Sequence, residues 1–149
     1  MANLLLVAHA PLASSLQAVA QHVYPDCRAQ LRAVDVAPGA SLESAAAEVR
    51  LALEALGSGE VLVLADVFGA TPCNAALSAA AGSPVRIVAG VNVPMLWRTL
   101  CYLDNSLDDL VARAVAGAAQ GVMHVSVPHR QNQPTPPASD DQVQHQHQQ

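Results

Sequence analysis

Two residues of this chain pair chemical capability with matching local contexts. His9 closes the apolar run Asn3-Leu4-Leu5-Leu6-Val7-Ala8, and Asp66 closes a second run, Val61-Leu62-Val63-Leu64-Ala65. Small or helix-starting residues follow each: Ala10-Pro11-Leu12 after the first, Phe68-Gly69-Ala70-Thr71-Pro72 after the second. A carboxylate bonded to one nitrogen of an imidazole fixes its tautomer and leaves the other nitrogen free to attack. If both runs are strands of one parallel sheet, both side chains stand at its carboxyl edge, where ligands gather in open α/β folds. Such a pair suits a ring that attacks phosphorus and then carries the phosphoryl group.

A third component is Gly69-Ala70-Thr71-Pro72. Gly69 permits close backbone approach, Thr71 brings a hydroxyl, and the amides and dipole of a helix start favour an anion. The segment lacks the spaced glycines and the Lys of a P-loop, so it suits passing contact with a phosphoryl group already on the protein. Taken singly, each component has an ordinary explanation: a strand-end histidine, a loop-capping aspartate and a strand-to-helix turn. Other residues carry less. Cys73 reads as a packing residue rather than a reactive thiol, and Asp35 reads as a cap for the Pro38-Gly39 turn, although it ends a strand near the site. His145 and His147 lie in a glutamine-rich tail without a fixed partner, so no metal site is expected; His22 and His129 read as solvent-exposed.

The elements that must position these groups follow from apolar runs of strand length alternating with longer helical patterns. Strands are expected at 3–8, 30–36, 61–66 and 85–89, with helices near 11–23, 41–56, 72–81, 94–103 and 106–119. That alternation predicts an α/β fold: a central, mostly parallel sheet flanked by helices on both faces. Ser41, Thr71 before Pro72, either Asn92 or Val93, and Ser106 read as helix starts, the last resembling a capping box with Asp109. Residues 121–127 alternate in polarity and read as a half-buried strand with Met123, Val125 and Val127 inward, at an edge or bridging subunits. From Pro128 to Gln149 the chain turns to Gln, Pro, His, Asp and Ser, and a disordered tail is expected after a domain of residues 1–127.

Composition sets the outer bounds. At 149 residues the chain is one domain plus a tail, with 52% hydrophobic and 13% charged residues, enough for a substantial core. The net charge is −5, and the seven basic residues are all Arg without a basic stripe, which disfavours nucleic acid. The uncharged stretch Val67 to Val85 is broken by Gly69, Pro72, Asn74, Gly82 and Pro84, so no membrane insertion is expected. The N-terminal run lacks the basic flank and length of a secretion signal. Cys27, Cys73 and Cys101 form no C-x-x-C pair, and a reduced, cytoplasmic protein is the simplest expectation.

The motifs then extend beyond single residues. After the strand ending in His9 come Val36-Ala37-Pro38-Gly39, then Asp66-Val67-Phe68-Gly69-Ala70-Thr71-Pro72-Cys73-Asn74, then Gly90-Val91-Asn92-Val93-Pro94-Met95. In that order they resemble the IIA domain of the mannose/fructose-type bacterial phosphoenolpyruvate-dependent sugar phosphotransferase system, over about residues 3–127. The resemblance implies a homodimer with an exchanged C-terminal strand, for which 121–127 is the candidate. It implies that His9 accepts a phosphoryl group from phosphorylated HPr, that Asp66 orients His9, and that Thr71 with Gly69 and the amides near Ala70 holds the phosphoryl group. Many family members have Thr-His-Gly around the active histidine, whereas this chain has Ala8-His9-Ala10.

The leading expectation is thus a phosphotransferase component that needs no cofactor, with Pro11, Leu12, Phe68 and Met95 docking HPr and keeping water off the labile bond. A IIB component is expected to receive the phosphoryl group in trans, because the Pro/Gln tail leads to no attached IIB domain. The alternative is a regulatory module whose His9 phosphorylation controls a partner protein without sugar transport. A receiver-like domain phosphorylated on Asp66 is disfavoured, since the acidic pair after the first strand and the late Lys are missing.

Overall fold

The strands form where the sequence is apolar without interruption, as parallel strands covered on both faces require. The computed structural model describes residues 1–130. In chain order the elements are β1 (Asn3–His9), α1 (Leu12–Val23), a short 3-10 turn (Pro25–Ala29), β2 (Leu31–Val36), α2 (Leu42–Leu56), β3 (Val61–Ala65), α3 (Thr71–Ala79), β4 (Val85–Ala89), α4 (Val93–Leu100) and α5 (Leu107–Gln120). Every residue of β3 is buried. The sheet runs β2-β1-β3-β4 and all its pairings are parallel.

Alternation along the central strands sorts the core into two layers. Leu4, Leu6, Ala8, Leu62 and Leu64 pack with Ala13 and Leu16 of α1, Met95 and Leu96 of α4 and Leu110 of α5. Leu5, Val7, Val61 and Val63 pack on the other face with Ala45, Ala46 and Val49 of α2 and Ala75 and Ala76 of α3. The expected α/β architecture, with helices on both faces, is therefore the one observed. Each fully buried leucine contributes about 1.5–3 kcal/mol relative to an exposed one.

The connection from β1 leads to β2 on one side, and the chain then crosses back to place β3 on the other side of β1. The direction of winding reverses between β1 and β3, which leaves a crevice at their carboxyl ends. His9 pairs with Val36 in the register of β1 and β2, and Val7 pairs with Ala65 in that of β1 and β3. His9 and Asp66 thus stand at the switch point.

One sequence expectation needs correction, and a second finds no partner strand within the single chain. Ala70, extended at φ −93° and ψ 168°, is the N-cap of α3, so Thr71 opens the helix and, among the described residues, no side chain caps it. Residues 122–130 form neither helix nor strand, and Val122, Met123, Val125 and Val127 are exposed. Alternation shows which residues would share a face; it does not provide a sheet edge to receive them. Most of the expected tail, from residue 131 on, lies outside the described residues. Among the described residues no helix is long and apolar enough to cross a membrane.

Candidate functional site

The crevice brings His9 and Asp66 into direct contact. Asp66 Oδ2 accepts a hydrogen bond from the backbone N–H of His9 at 2.9 Å and lies 2.6 Å from its Nδ1. The second oxygen, Oδ1, accepts from the Val67 N–H at 2.8 Å. Partial burial pushes the Asp66 carboxyl upward, but the His9 N–H, the His9 ring and the Val67 N–H together hold it below the ordinary carboxylate value. Asp66 is therefore an anion at neutral pH, and an anion opposite Nδ1 selects the tautomer with hydrogen on Nδ1. The lone pair is then on Nε2. The His9 side chain is 56% exposed and that of Asp66 11%, so the carboxylate is sheltered while the ring is offered to solvent.

Around the ring, Gly69 adopts φ +85°, a left-handed conformation that glycine takes without steric cost. A Cβ built there would meet no protein atom within 4 Å, so within the chain the requirement for glycine is conformational. The loop is tied down where Asn74 Nδ2 donates to the Gly69 carbonyl at 3.4 Å. Gly69, Ala70 and Thr71 lead into the uncapped start of α3 beside the pair. Pro11 and Leu12 are exposed, and Phe68 is 80% exposed despite being a large aromatic. Met95 does not join them: only 2% exposed, it packs in the core, because Met95, Leu96 and Thr99 form the inward face of α4.

Asp35 has a part that sequence reasoning missed. Its Oδ1 accepts from the Ser14 N–H at 3.0 Å, which caps α1 across a gap of 21 residues. The available signal was Pro11 at the α1 N-cap, a residue with no side-chain acceptor. Cys73 is buried at the start of α3, as expected of a packing residue. Among the described residues no group of three or more His, Cys, Asp or Glu side chains is arranged to hold a metal. A cleft of about 330 Å³ lies away from the pair, between the ends of α1 and α4, lined by Tyr24, Cys27, Leu100, Cys101 and Leu103. A half-exposed imidazole on an open face is accessible to a macromolecule rather than enclosed around a small substrate.

Residues 3–115 match the family described as the PTS system fructose IIA component. The PTS system mannose-specific EIIAB component of Escherichia coli K12 is 37% identical over 93 residues, covering 60% of this chain and 29% of that protein. The component of the same description from Shigella flexneri gives the same identity and coverage. The alignment thus spans 29% of the length of these curated relatives. Among solved structures, the mannose/sorbose specific IIA subunit of the phosphotransferase system from Enterococcus faecalis superposes with a TM-score of 0.78 at 27% identity, covering 86% of this chain and 97% of that one. The phosphotransferase system component EIIA from Streptococcus agalactiae shares the fold with a TM-score of 0.73 at 21% identity, over 83% and 97% of the two chains.

Proposed function

The chain belongs to the PTS fructose IIA component family, whose members act in phosphoryl transfer for sugar uptake, and on that premise we propose that it is a phosphohistidine carrier with His9 as the accepting residue. The observation that carries this reading is the 2.6 Å contact of Nδ1 with the sheltered Asp66, on a ring otherwise open to solvent. In the proposed step Nε2 of His9 attacks the phosphorus of phosphorylated HPr. A new N–P bond forms as the donor's N–P bond breaks, and the donor ring nitrogen keeps the electron pair. Asp66 holds the Nδ1 proton and balances the positive charge that grows on the His9 ring. Like is exchanged for like, so catalysis consists of alignment and charge stabilisation.

Gly69, Ala70 and Thr71 are the proposed contacts for the phosphoryl oxygens, at a helix start whose dipole favours negative charge. Pro11, Leu12 and Phe68 are the proposed docking surface for HPr; an aromatic as exposed as Phe68 is supported as an anchor by the prominence of such residues at interfaces. The reading places residues 1–127 as the carrier domain, in the cytoplasm, and passes the phosphoryl group in trans to a IIB component. The exposed apolar alternation after Gly121, together with β4 at an edge of the sheet, supports a homodimer in which that segment adds to a second copy. A purely regulatory role would use the same ring and gains no observation of its own.

Incubation with phosphoenolpyruvate, enzyme I and HPr tests the assignment. Acid-labile phosphate is expected on His9, and none on a His9→Ala protein that still folds. Undiminished labelling of His9→Ala would overturn it.

A further inference from the structure

The carrier reading gives no task to the second carboxylate beside the His9 bend. Asp35 lies next to Ala8 in the β1–β2 register. By strand alternation it shares the face of Ala8 and α1, while His9 and Val36 take the opposite face. Asp35 is therefore not a phosphoryl ligand, and any effect it has on the ring must travel through the backbone.

Such a route is visible. Beyond His9 the Ala10 N–H donates to the Val36 carbonyl at 2.9 Å, and the Ser14 N–H donates to Asp35 Oδ1 at 3.0 Å. Both acceptors belong to the end of β2, so the whole bend from Ala10 to Ser14 hangs on two consecutive residues. The bend is also closed on itself: the Pro11 carbonyl accepts from the Ser15 hydroxyl at 2.6 Å, the Ser14 hydroxyl at 3.2 Å and the Ser15 N–H at 3.1 Å. A stiff unit of this kind moves as one piece when its anchor is cut. It begins at the residue that follows His9 and carries the exposed Leu12 on its outer side.

We infer that Asp35 is a positioning residue for phosphoryl transfer: by capping α1 through Ser14 it sets the aim of the His9 ring and the height of the Leu12 lip against the donor. The carboxylate also occupies the positive end of α1 with an internal charge, which leaves the start of α3 as the helix end open to an incoming phosphoryl group. The inference rests on the carrier reading and adds a residue to it.

The test measures transfer from phosphorylated HPr over a range of donor concentrations for the wild-type protein, Asp35→Ala, Asp35→Asn and Ser106→Ala. Ser106 caps α5 through the Asp109 N–H and serves as a cap remote from the bend. Asp35→Ala is expected to slow transfer at saturating donor by roughly ten- to a hundredfold, and Asp35→Asn, which keeps an acceptor oxygen, to recover most of that rate. Ser106→Ala is expected to lower the melting temperature while transferring at the wild-type rate. Wild-type transfer by Asp35→Ala, or equal slowing by Ser106→Ala, would make Asp35 a stabilising cap and nothing more. Absence of His9 labelling in the wild-type protein would overturn the carrier reading, and this inference with it.

Discussion

Four helices begin at the same edge of the sheet, yet they begin in two ways. The outer strands, β2 and β4, lead to helices capped by their own preceding residues: Ser41 Oγ accepts from the Ser44 N–H at 3.1 Å, and Asn92 Oδ1 from the Met95 N–H at 2.9 Å. The inner strands, β1 and β3, lead to α1 and α3, whose N-cap residues Pro11 and Ala70 supply no side-chain cap. A missing cap typically costs about 1 kcal/mol. Neither inner helix is capped by its own N-cap residue, whereas both outer ones are, and on the carrier reading this leaves the inner edge for an anion. The two inner helices then differ from each other, because Asp35 fills the α1 end and, among the described residues, no side chain caps α3.

The sharpest way to break this contrast is to remove the charge that organises the inner edge. Asp66→Asn is expected to reduce transfer by about 10²- to 10⁴-fold, because a neutral amide no longer dictates the ring tautomer. The same variant carries a stability signature. Asp66 sits below its ordinary value in the folded chain, so its contribution is full above the unfolded carboxylate value near pH 4 and is lost as pH falls through the lower folded one. The stability gap between wild type and Asp66→Asn, measured by denaturant titration at a series of pH values, should therefore close in acid below about pH 4.

A smaller effect of opposite character is expected from turning an inner helix into an outer one. Ala70→Asp gives α3 its own carboxylate cap. The folded state should gain about 0.5–1 kcal/mol in chemical unfolding, while labelling on His9 should slow at least roughly tenfold as the new charge repels the phosphoryl group. A variant that is stabilised and still labels at the wild-type rate would show that the start of α3 is not the phosphoryl contact. Smallest of all is the converse change at an outer helix: Ser41→Ala should cost about 1 kcal/mol and leave the transfer rate within about twofold, as read from melting curves and labelling in parallel.

The layout of the sheet was legible because it is written locally. Unbroken runs such as Val61-Leu62-Val63-Leu64-Ala65 can be satisfied only by burial on both faces, and the residues that end them can be placed at one edge before any contact is known. The meeting of His9 with Asp66 followed from that placement. What escaped was either non-local or lacking in contrast. The Asp35–Ser14 bond joins two elements that a local reading treats separately. Met95 was misread because its apolar character was assigned to a docking surface, whereas α4 turns Met95, Leu96 and Thr99 inward against the core. The segment after Gly121 shows an alternation whose meaning depends on a neighbouring strand that sequence cannot supply.

The hydrogen bond at Nδ1 has a regiochemical consequence. Imidazole can form two isomeric phosphoramidates, one at each nitrogen, which differ in phosphorus chemical shift. With Nδ1 engaged by Asp66, the carrier reading predicts a single isomer at His9, bonded through the nitrogen remote from the main chain. Phosphorus NMR of the labelled protein should show one resonance for this residue, and loosening the clasp at Asp66 is the change that should let the second isomer appear.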